Sequence, residues 1–222
     1  ALNKSAGALQ VAQERLSSGL RINSAKDDAT GLGIATGFDS KIRGANMNIR
    51  NANDAISKAQ ISDGYLAQIT ENTQRLREIF VQTGAVTNEE ATALIAENGR
   101  IDGLVTASTS VVVDEAGGTA GGNGNTFTAA GAFADLAAID TELAAITTAR
   151  AEFGADMSAL SSAVASLQTA SVNYSASYSR VMDTDYAAET AAQAKNNILQ
   201  QAGTAVLAQA NQTPQTVLTL LR

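Results

Sequence analysis

A long apolar stripe, which begins at Ile139 and ends at Val181, dominates the hydrophobic pattern of the chain. Steps of four and three residues, taken in turn, reach an apolar side chain at almost every position, and Arg150 and Ser171 are the two interruptions. A period of about 3.5 residues keeps one face of a helix against a partner helix. The pattern therefore predicts a bundled helix of roughly 65 Å, at about 1.5 Å per residue.

A second helical pattern runs from Asp28 to about Gln82, and a shorter amphipathic pattern covers residues 1–20. Beyond residue 185 follows a thinner seam of mostly small residues. Its members are Ala187, Ala191, Ala194, Ile198, Ala202 and Ala205. Thin seams of this kind predict packing against other copies of the chain. The expected fold class is mainly α: a long antiparallel helical rod or coiled-coil bundle.

Two sequence motifs predict where helices begin. Ser24 to Asp27 fits a capping box that would open the second helix, with Ser24 at the N-cap. Thr87 to Glu90 fits another, which would open a shorter helix that continues to about Leu104.

Residues 106–131 have a different character, because β-branched residues are followed by a Gly-rich run. We expect a small β-hairpin or a loop at this tip of the bundle. Leu160 lies in the middle of the long stripe, so its truncation to Ala is expected to cost about 2–5 kcal/mol. Replacement of Gly121 or Gly122 in the tip is expected to cost far less.

The composition excludes several classes of function. The net charge of −7 argues against nucleic-acid binding, which needs a basic face. His and Cys are both absent, which removes imidazole and thiolate metal ligands, a Cys nucleophile and a Ser-His-Asp triad. No apolar run approaches the roughly 18 residues that a membrane-spanning helix needs.

The remaining polar motifs favour structural roles. Asp27 and Asp28 suit a helix start, and no further metal ligand accompanies them. Asp183 and Asp185 lack a second catalytic group. The run from Gly117 to Gly124 has no Lys-Ser/Thr ending and does not open a helix, unlike a phosphate-binding loop. We therefore predict no catalytic, cofactor-binding or metal site, and no enzyme activity.

Two long runs resemble bacterial flagellin. The first is LSSGLRINSAKDDATGLGIA at residues 16–35, which the motif RNAND at residues 50–54 supports. The second is ILQQAGTAVLAQANQTPQTVLTLLR at residues 198–222. The similar regions cover about residues 1–82 and 134–222. The resemblance implies a self-assembling structural subunit of the flagellar filament, secreted to the extracellular bacterial flagellum and used in motility.

The resemblance also implies a domain organisation. Residues 1–20 and 185–222 would be the terminal helices of the inner, filament-core domain, and residues 21–184 the outer helical rod. Family members usually begin some twenty residues earlier, so Ala1 looks like an internal start, and the variable outer domains are nearly absent. Because the apolar seams of the terminal helices are thin, we predict that these helices are frayed in the monomer and become ordered only in contact with a partner.

The partners that the resemblance implies are other flagellin subunits, an export chaperone, and the filament cap and hook-junction proteins. A C-terminal apolar patch within residues 185–222 would bind first the chaperone and then the filament's inner tube. Its members are Leu199, Val206, Leu207, Val217, Leu218, Leu220 and Leu221. A disordered amphipathic segment can fold onto a helical groove and bury such anchors.

The segment 74–82 has two interpretations. As a solvated helix face, it carries Arg75 and Glu78 as an i,i+3 ion pair. In many flagellins, however, the matching segment contacts a Toll-like receptor of animal hosts. The residues that this resemblance assigns are Gln74, Arg75, Arg77, Glu78, Ile79 and Gln82. Ile79 stands where Leu is usual and Phe80 where Ala is usual.

Two alternatives to a filament subunit stay open at this point. A hook–filament junction protein, or a flagellin-like surface adhesin, would share the helical build without forming long polymers. An enzyme would need a catalytic insert within residues 106–131, and the absence of His excludes the HExxH zinc site that some flagellins carry.

Overall fold

The structure is a computed structural model that describes residues 2–107, 111–112, 118–122 and 127–220, with side chains described from residue 3 to residue 210. Helices account for most of these residues, and a single pair of short strands lies between the third and fourth helices. The elements of this described part are α1 (Leu2–Ser18), α2 (Ala29–Thr83), α3 (Glu89–Asp102), β1 (Val111–Val112), β2 (Thr119–Ala120), α4 (Leu136–Met182) and α5 (Tyr186–Leu220). The mainly helical fold class is confirmed.

The contacts divide the chain into two compact units. One unit combines residues 1–41 with residues 173–222, and the other consists of residues 42–172. The boundaries of the units lie inside α2 and α4. The division predicted from the resemblance, at residues 20 and 185, stays a prediction.

The long stripe lies within one uninterrupted helix, α4, as predicted. Every stripe residue is buried or half-buried, and Phe153, Ile139 and Ile146 are completely buried. The pattern missed a neighbouring column that is also buried at heptad spacing. Its members are Glu142, Ala149, Asp156 and Ala163. Carboxylates alternate with Ala along this column, so it lacks the run of large apolar residues by which periodicity identified the stripe.

The predicted helix starts are each displaced by a short distance. Helix α2 begins at Ala29, and Asp28 caps it by accepting a hydrogen bond from the backbone N–H of Gly31 at 2.8 Å. Ser24 and Asp27 form a separate turn, in which the Asp27 carboxylate accepts from the Ser24 hydroxyl and amide. The side chains of Ser24 and Asp27, which the predicted capping box would have used at the start of α2, are hydrogen-bonded to each other in this turn. Ser24 is therefore not the N-cap of α2.

Helix α3 shows the same kind of correction. Its N-cap is Asn88, whose side chain accepts from the backbone N–H of Ala91 at 2.8 Å, rather than Thr87. Asn caps helices at least as well as Thr, and the Asn88 side chain accepts from the backbone N–H of Ala91, which has no acceptor within the helix.

Three apolar clusters of the described residues form the core of residues 42–172. The first surrounds Phe153, and its other buried members are Ala59, Leu66, Ile69, Ile101, Phe127, Ile146 and Ala149. The second consists of Leu76, Ile79, Ala91, Phe133 and Ile139. A buried polar group lies on α2 and α3: Asn98 accepts from Asn72 at 2.8 Å and donates to Thr73 at 3.2 Å. Such groups are tolerated in a core because their hydrogen bonds are made.

The expected hairpin tip is present as a two-stranded antiparallel sheet in which Val111 pairs with Ala120. Residues 108–110, 113–117 and 123–126 of the tip lie outside the described residues. Val111 and Ala120 pack with Ala52, Ala55 and Leu160 in a third apolar cluster. The low cost expected for replacement of Gly121 is wrong, because a Cβ there would lie 2.9 Å from Cγ of Leu160.

The unit of residues 1–41 and 173–222 has a small cluster of its own. Ile22, Ala35 and Met182 are buried in it, and Tyr178 and Val181 of α4 pack against them. Phe38 contacts Tyr174 with ring centroids 6.3 Å apart, and the ammonium of Lys41 lies 5.5 Å from the Tyr174 ring centroid.

Candidate functional site

The first candidate surface belongs to the two terminal helices, which pack against each other in antiparallel orientation. The Tyr186 hydroxyl at the start of α5 donates to the Leu16 carbonyl near the end of α1, at 3.2 Å. One turn further, Arg15 and Glu189 form an ion pair at 3.7 Å. Asn3 and Ala6 at the start of α1 line one groove together with Gln200, Gln201 and Thr204 of α5.

The two connectors beside these helices are tied by backbone pairing. Leu20 forms an isolated antiparallel bridge with Asp183. The Thr184 amide donates to the Gly19 carbonyl at 3.0 Å, and the Arg21 guanidinium donates to the Val181 carbonyl at 2.7 Å. Arg21 thereby satisfies one of the carbonyls that the end of α4 leaves without an intrahelical partner.

The face of α5 that packs against α1 is not the small-residue seam, for which packing against other copies of the chain was predicted. All six members of the predicted seam, from Ala187 to Ala205, are exposed. The half-buried residues of α5 are mostly polar and lie on another face: Glu189, Ala192, Gln193, Asn196, Gln200 and Gly203. The small-residue seam is therefore an open surface of the isolated chain.

Four large apolar side chains of α5 are also exposed. Ile198 is 64% exposed and Val206 is 65% exposed, and Leu199 and Leu207 are about half exposed. Leu199 and Val206 are seven residues apart and therefore share one side of the helix, whereas Ile198 and Leu207 lie about 90° to either side of them. The predicted contacts Val217, Leu218, Leu220 and Leu221 lie outside the residues whose side chains the structure describes.

The carboxylates that were considered for chemistry make structural contacts. Asp185 caps α5 by accepting from the amides of Ala187 and Ala188, at 2.9 and 3.2 Å. Asp183 accepts from the Ser179 hydroxyl. Across the described residues, no group of three or more acidic side chains is placed to hold a metal ion.

The second candidate surface is the α2 segment 74–82. Arg75 donates to Glu90 of α3 and to Glu78, both at 2.8 Å, and these two hydrogen bonds raise the pKa of the Arg75 guanidinium. Arg77 donates to Asp140 of α4 at 2.7 Å. All of these groups are exposed, so the ion pairs join three helices at the surface but contribute little stability.

The predicted contact residues of this segment fall into two sets, which differ in exposure to solvent. Gln74, Arg75, Arg77, Glu78 and Gln82 are exposed and share the outer surface of α2. Ile79 is 3% exposed and belongs to the second apolar cluster, with Leu76 and Ile139. The side chain of Ile79 is therefore not accessible to a partner that approaches the folded chain.

Comparison with known protein families gives two matches, which together cover most of the chain. Residues 1–111 match the bacterial flagellin N-terminal helical region. Residues 136–221 match the bacterial flagellin C-terminal helical region. The chain belongs to the flagellin family. Its α1 and α5, which pack together, lie in the two separate matches.

Individual relatives support the assignment along the whole chain. Flagellin of Xenorhabdus nematophila is 40% identical over 296 aligned residues, which cover 100% of this chain and 95% of the relative. Flagellin of Halalkalibacterium halodurans is 36% identical over 249 residues, or 96% of this chain and 92% of the relative. Flagellin of Salmonella typhimurium is 56% identical over 90 residues, 40% of this chain and 18% of the relative.

Family membership fixes the general role of the chain. It is a structural subunit of the bacterial flagellar filament, an extracellular structure, and flagellins polymerise with copies of themselves. None of the helices in the described residues is long and apolar enough to cross a membrane.

Proposed function

We propose that this flagellin assembles into its filament through the exposed apolar surface of α5, which carries Ile198, Leu199, Val206 and Leu207. The observation that supports the proposal is the exposure of four large apolar side chains on a helix whose other face packs against α1. A contiguous apolar surface of this kind is typical of a protein–protein interface.

The physical driving force would be burial of this face. Removal of apolar surface from water contributes about 25 cal/mol per Å². The many Ala residues of the seam allow two helices to approach closely, and their burial costs little side-chain entropy. Residues 1–20 and 185–222 would accordingly be loosely ordered in a monomer and become ordered when neighbouring subunits cover them.

The same face is a suitable site for an export chaperone. Leu199 and Val206, which are seven residues apart on one side of the helix, match the spacing of anchors that a hydrophobic groove on a helical partner binds. A chaperone that covered the anchors before secretion would prevent early polymerisation. Chaperone binding and polymerisation would then exclude each other, because both use Leu199, Val206 and Leu207. Filament cap and hook-junction proteins would also contact the assembled subunit.

The role proposed here is that of a self-assembling structural subunit without enzyme activity. The absence of a catalytic role is supported by the structural contacts of two acidic residues. Asp183 pairs with Leu20 through the backbone, and Asp185 caps α5. A hook–filament junction protein or an adhesin would share the helices but would not form long polymers by itself.

The decisive experiment compares Leu207→Asp with Asn197→Asp, which adds the same charge at an exposed polar position of α5. Sedimentation and electron microscopy would measure polymerisation, and a pull-down would measure chaperone binding. We expect Leu207→Asp to lose both and Asn197→Asp to keep both. If Leu207→Asp polymerises and binds chaperone as the parent does, the shared-face proposal is wrong. If the parent forms no polymer while it binds preformed filament ends, the junction role is favoured.

A further inference from the structure

Two short connectors pair with each other beside the terminal helices, and we call residues 19–21 together with residues 182–184 the clasp. Leu20 and Asp183 are partners in its antiparallel bridge. Backbone hydrogen bonds between the two connectors flank this pair on both sides. The clasp therefore fixes the start of α5 relative to the end of α1.

The hydroxyl of Tyr186 lies against the end of α1. Gly19 has φ of +72°, and its amide donates to the Arg15 carbonyl at 2.8 Å, which is the left-handed cap that ends many helices. A Cβ at Gly19 would lie 3.3 Å from the Tyr186 hydroxyl oxygen. The hydroxyl donates at 3.2 Å to the carbonyl of Leu16, in the last turn of α1, where carbonyls lack intrahelical partners. Tyr186 thus recognises the end of α1 through a directional hydrogen bond.

Tyr186 also has a fixed place on its own helix. It is the first residue of α5, directly after the cap Asp185. Its side chain is 56% exposed, so it adds little to the apolar core. Glu189, three residues further, pairs with Arg15 at 3.7 Å. Because residues three apart share one side of a helix, both contacts hold the same side of α5 against α1.

The packing of α5 on α1 does not by itself favour this rotation of the helix. The half-buried positions beyond Glu189 hold small or amide side chains, whereas Leu199 and Val206 are exposed about a quarter of a turn away. Those half-buried residues are Ala192, Gln193, Asn196, Gln200 and Gly203. Burial of Leu199 and Val206 in their place would remove more apolar surface from water. Hydrophobicity alone therefore favours a different rotation of α5.

We propose that Tyr186 is a positioning residue, whose hydroxyl holds α5 in the rotation that leaves Leu199 and Val206 exposed. The clasp fixes where α5 begins, and the bond to the Leu16 carbonyl fixes which side of the helix faces α1. Without this bond, α5 would turn by about a quarter of a turn and cover its apolar surface with α1. The inference rests on the proposed function, because it explains how the surface assigned to assembly stays available in the single chain.

The chain contains no Cys, so single introduced thiols can report the rotation of α5. Ala188→Cys places a thiol at an exposed position on the side of Leu199 and Val206, which follow after about three and five whole turns. Gln193→Cys places a thiol on the side that packs against α1. The measurement is the rate of labelling with iodoacetamide at each position, in the full chain under monomeric conditions.

The hydroxyl is tested by Tyr186→Phe, which keeps the ring and removes the donor. In the parent, the thiol at position 188 should react faster than the thiol at position 193. Tyr186→Phe should lower the ratio of the two rates about three- to tenfold, the factor that corresponds to loss of one hydrogen bond. Tyr178→Phe, which removes the hydroxyl of a half-buried tyrosine of α4, should keep the parent ratio.

The same contact is tested from α1 by Gly19→Ala, because the added methyl group would press against the Tyr186 hydroxyl. This variant should lower the labelling ratio as Tyr186→Phe does. Gly84→Ala is the matched control, since Gly84 has φ of +75° and a Cβ there would meet nothing within 4 Å. The control carries the same backbone strain without the contact, so it should keep the parent ratio.

The outcomes separate the positioning role from the proposed function. If Tyr186→Phe or Gly19→Ala folds as the parent does by circular dichroism and keeps the parent ratio, the positioning role is wrong. Equal labelling at positions 188 and 193 in the parent would overturn it as well, because α5 would then have no fixed rotation. Polymerisation of Tyr186→Phe without thiols is measured separately. A lowered ratio with unchanged polymerisation supports the positioning role and contradicts assembly through Leu199 and Val206.

Discussion

Gly121 lies directly against Leu160, although the two residues are far apart in the sequence. The backbone of Gly121 has φ of +69°, which residues with a side chain rarely adopt. A Cβ at this position would be 2.9 Å from Cγ and 3.1 Å from both Cδ atoms of Leu160. The glycine-rich tip therefore seals the apolar cluster around Leu160 because it lacks a side chain at this point.

The first prediction concerns this contact. We expect Gly121→Ala to cost about 1–3 kcal/mol, since the added methyl group must displace Leu160 and occupies a strained backbone. Leu160→Ala should cost about 2–5 kcal/mol. In the double variant the cost should be less than the sum, because truncation of Leu160 makes room for the methyl group. Denaturant unfolding measures all three. As a control, Gly64→Ala in the open interior of α2 should stabilise by up to about 1 kcal/mol.

The second prediction concerns pH. The hydrogen bonds from the Ser24 side chain, the Ser24 amide and the Asn23 amide lower the pKa of Asp27. A carboxyl group whose pKa is lowered by folding stabilises the folded chain at pH values above its ordinary pKa. This contribution is lost as the pH falls through the lowered pKa. Asp27→Asn should therefore melt below the parent at neutral pH, and the difference should shrink on acidification. Circular dichroism at several pH values measures it. A difference that grows in acid would contradict the assignment, and Asp54→Asn on the exposed face of α2 serves as control.

The third prediction distinguishes the observed cap of α3 from the one that the sequence suggested. Asn88→Ala should cost about 1 kcal/mol, because the Ala91 amide loses its acceptor. Thr87→Ala should change the stability by no more than about 0.5 kcal/mol. Thermal unfolding of the two variants gives the answer. A larger loss for Thr87→Ala would show that the capping box Thr87 to Glu90 is the real helix start.

The fourth prediction concerns a host receptor that would bind segment 74–82. We expect Arg75→Ala to weaken such binding with a stability loss of about 0–1 kcal/mol, because its ion pairs are exposed. Ile79→Ala should cost about 2–5 kcal/mol of stability as a core truncation. The conservative variant Ile79→Val, which keeps the core filled, should bind the receptor as the parent does. If Ile79→Val folds normally and binds as poorly as Arg75→Ala, the receptor contacts Ile79 directly.

Hydrophobic periodicity alone was enough to predict the helices. Each position of the stripe from Ile139 to Val181 is buried or half-buried in α4, and the pattern from Asp28 to Gln82 became α2 with ends displaced by one residue. A repeat held over many turns averages out the exceptions, so Arg150 and Ser171 did not obscure it. The flagellin motifs were likewise visible in the sequence, because they are long runs of specific residues.

Local signals were less decisive where two side chains could make the same hydrogen bond. Ser24 and Asp28 could both cap α2, and Thr87 and Asn88 could both cap α3. The choice depends on the backbone that precedes each helix. At Ser24, a turn closed by Asp27 consumes the capping groups before α2 begins. Spacing along the chain does not contain this information.

Only the tertiary structure showed which faces have a neighbour. A seven-residue repeat identifies residues that share one side of a helix, but it does not say whether another helix covers that side. The small-residue seam of α5 is exposed, while Gln193 and Asn196 on another face are half-buried. Glu142 of α4 is tolerated as a buried carboxylate because the backbone N–H of Ala130 donates a hydrogen bond to it. The sequence by itself determined the helices and the family, whereas burial of each polar or small residue depended on partners that come from distant parts of the chain.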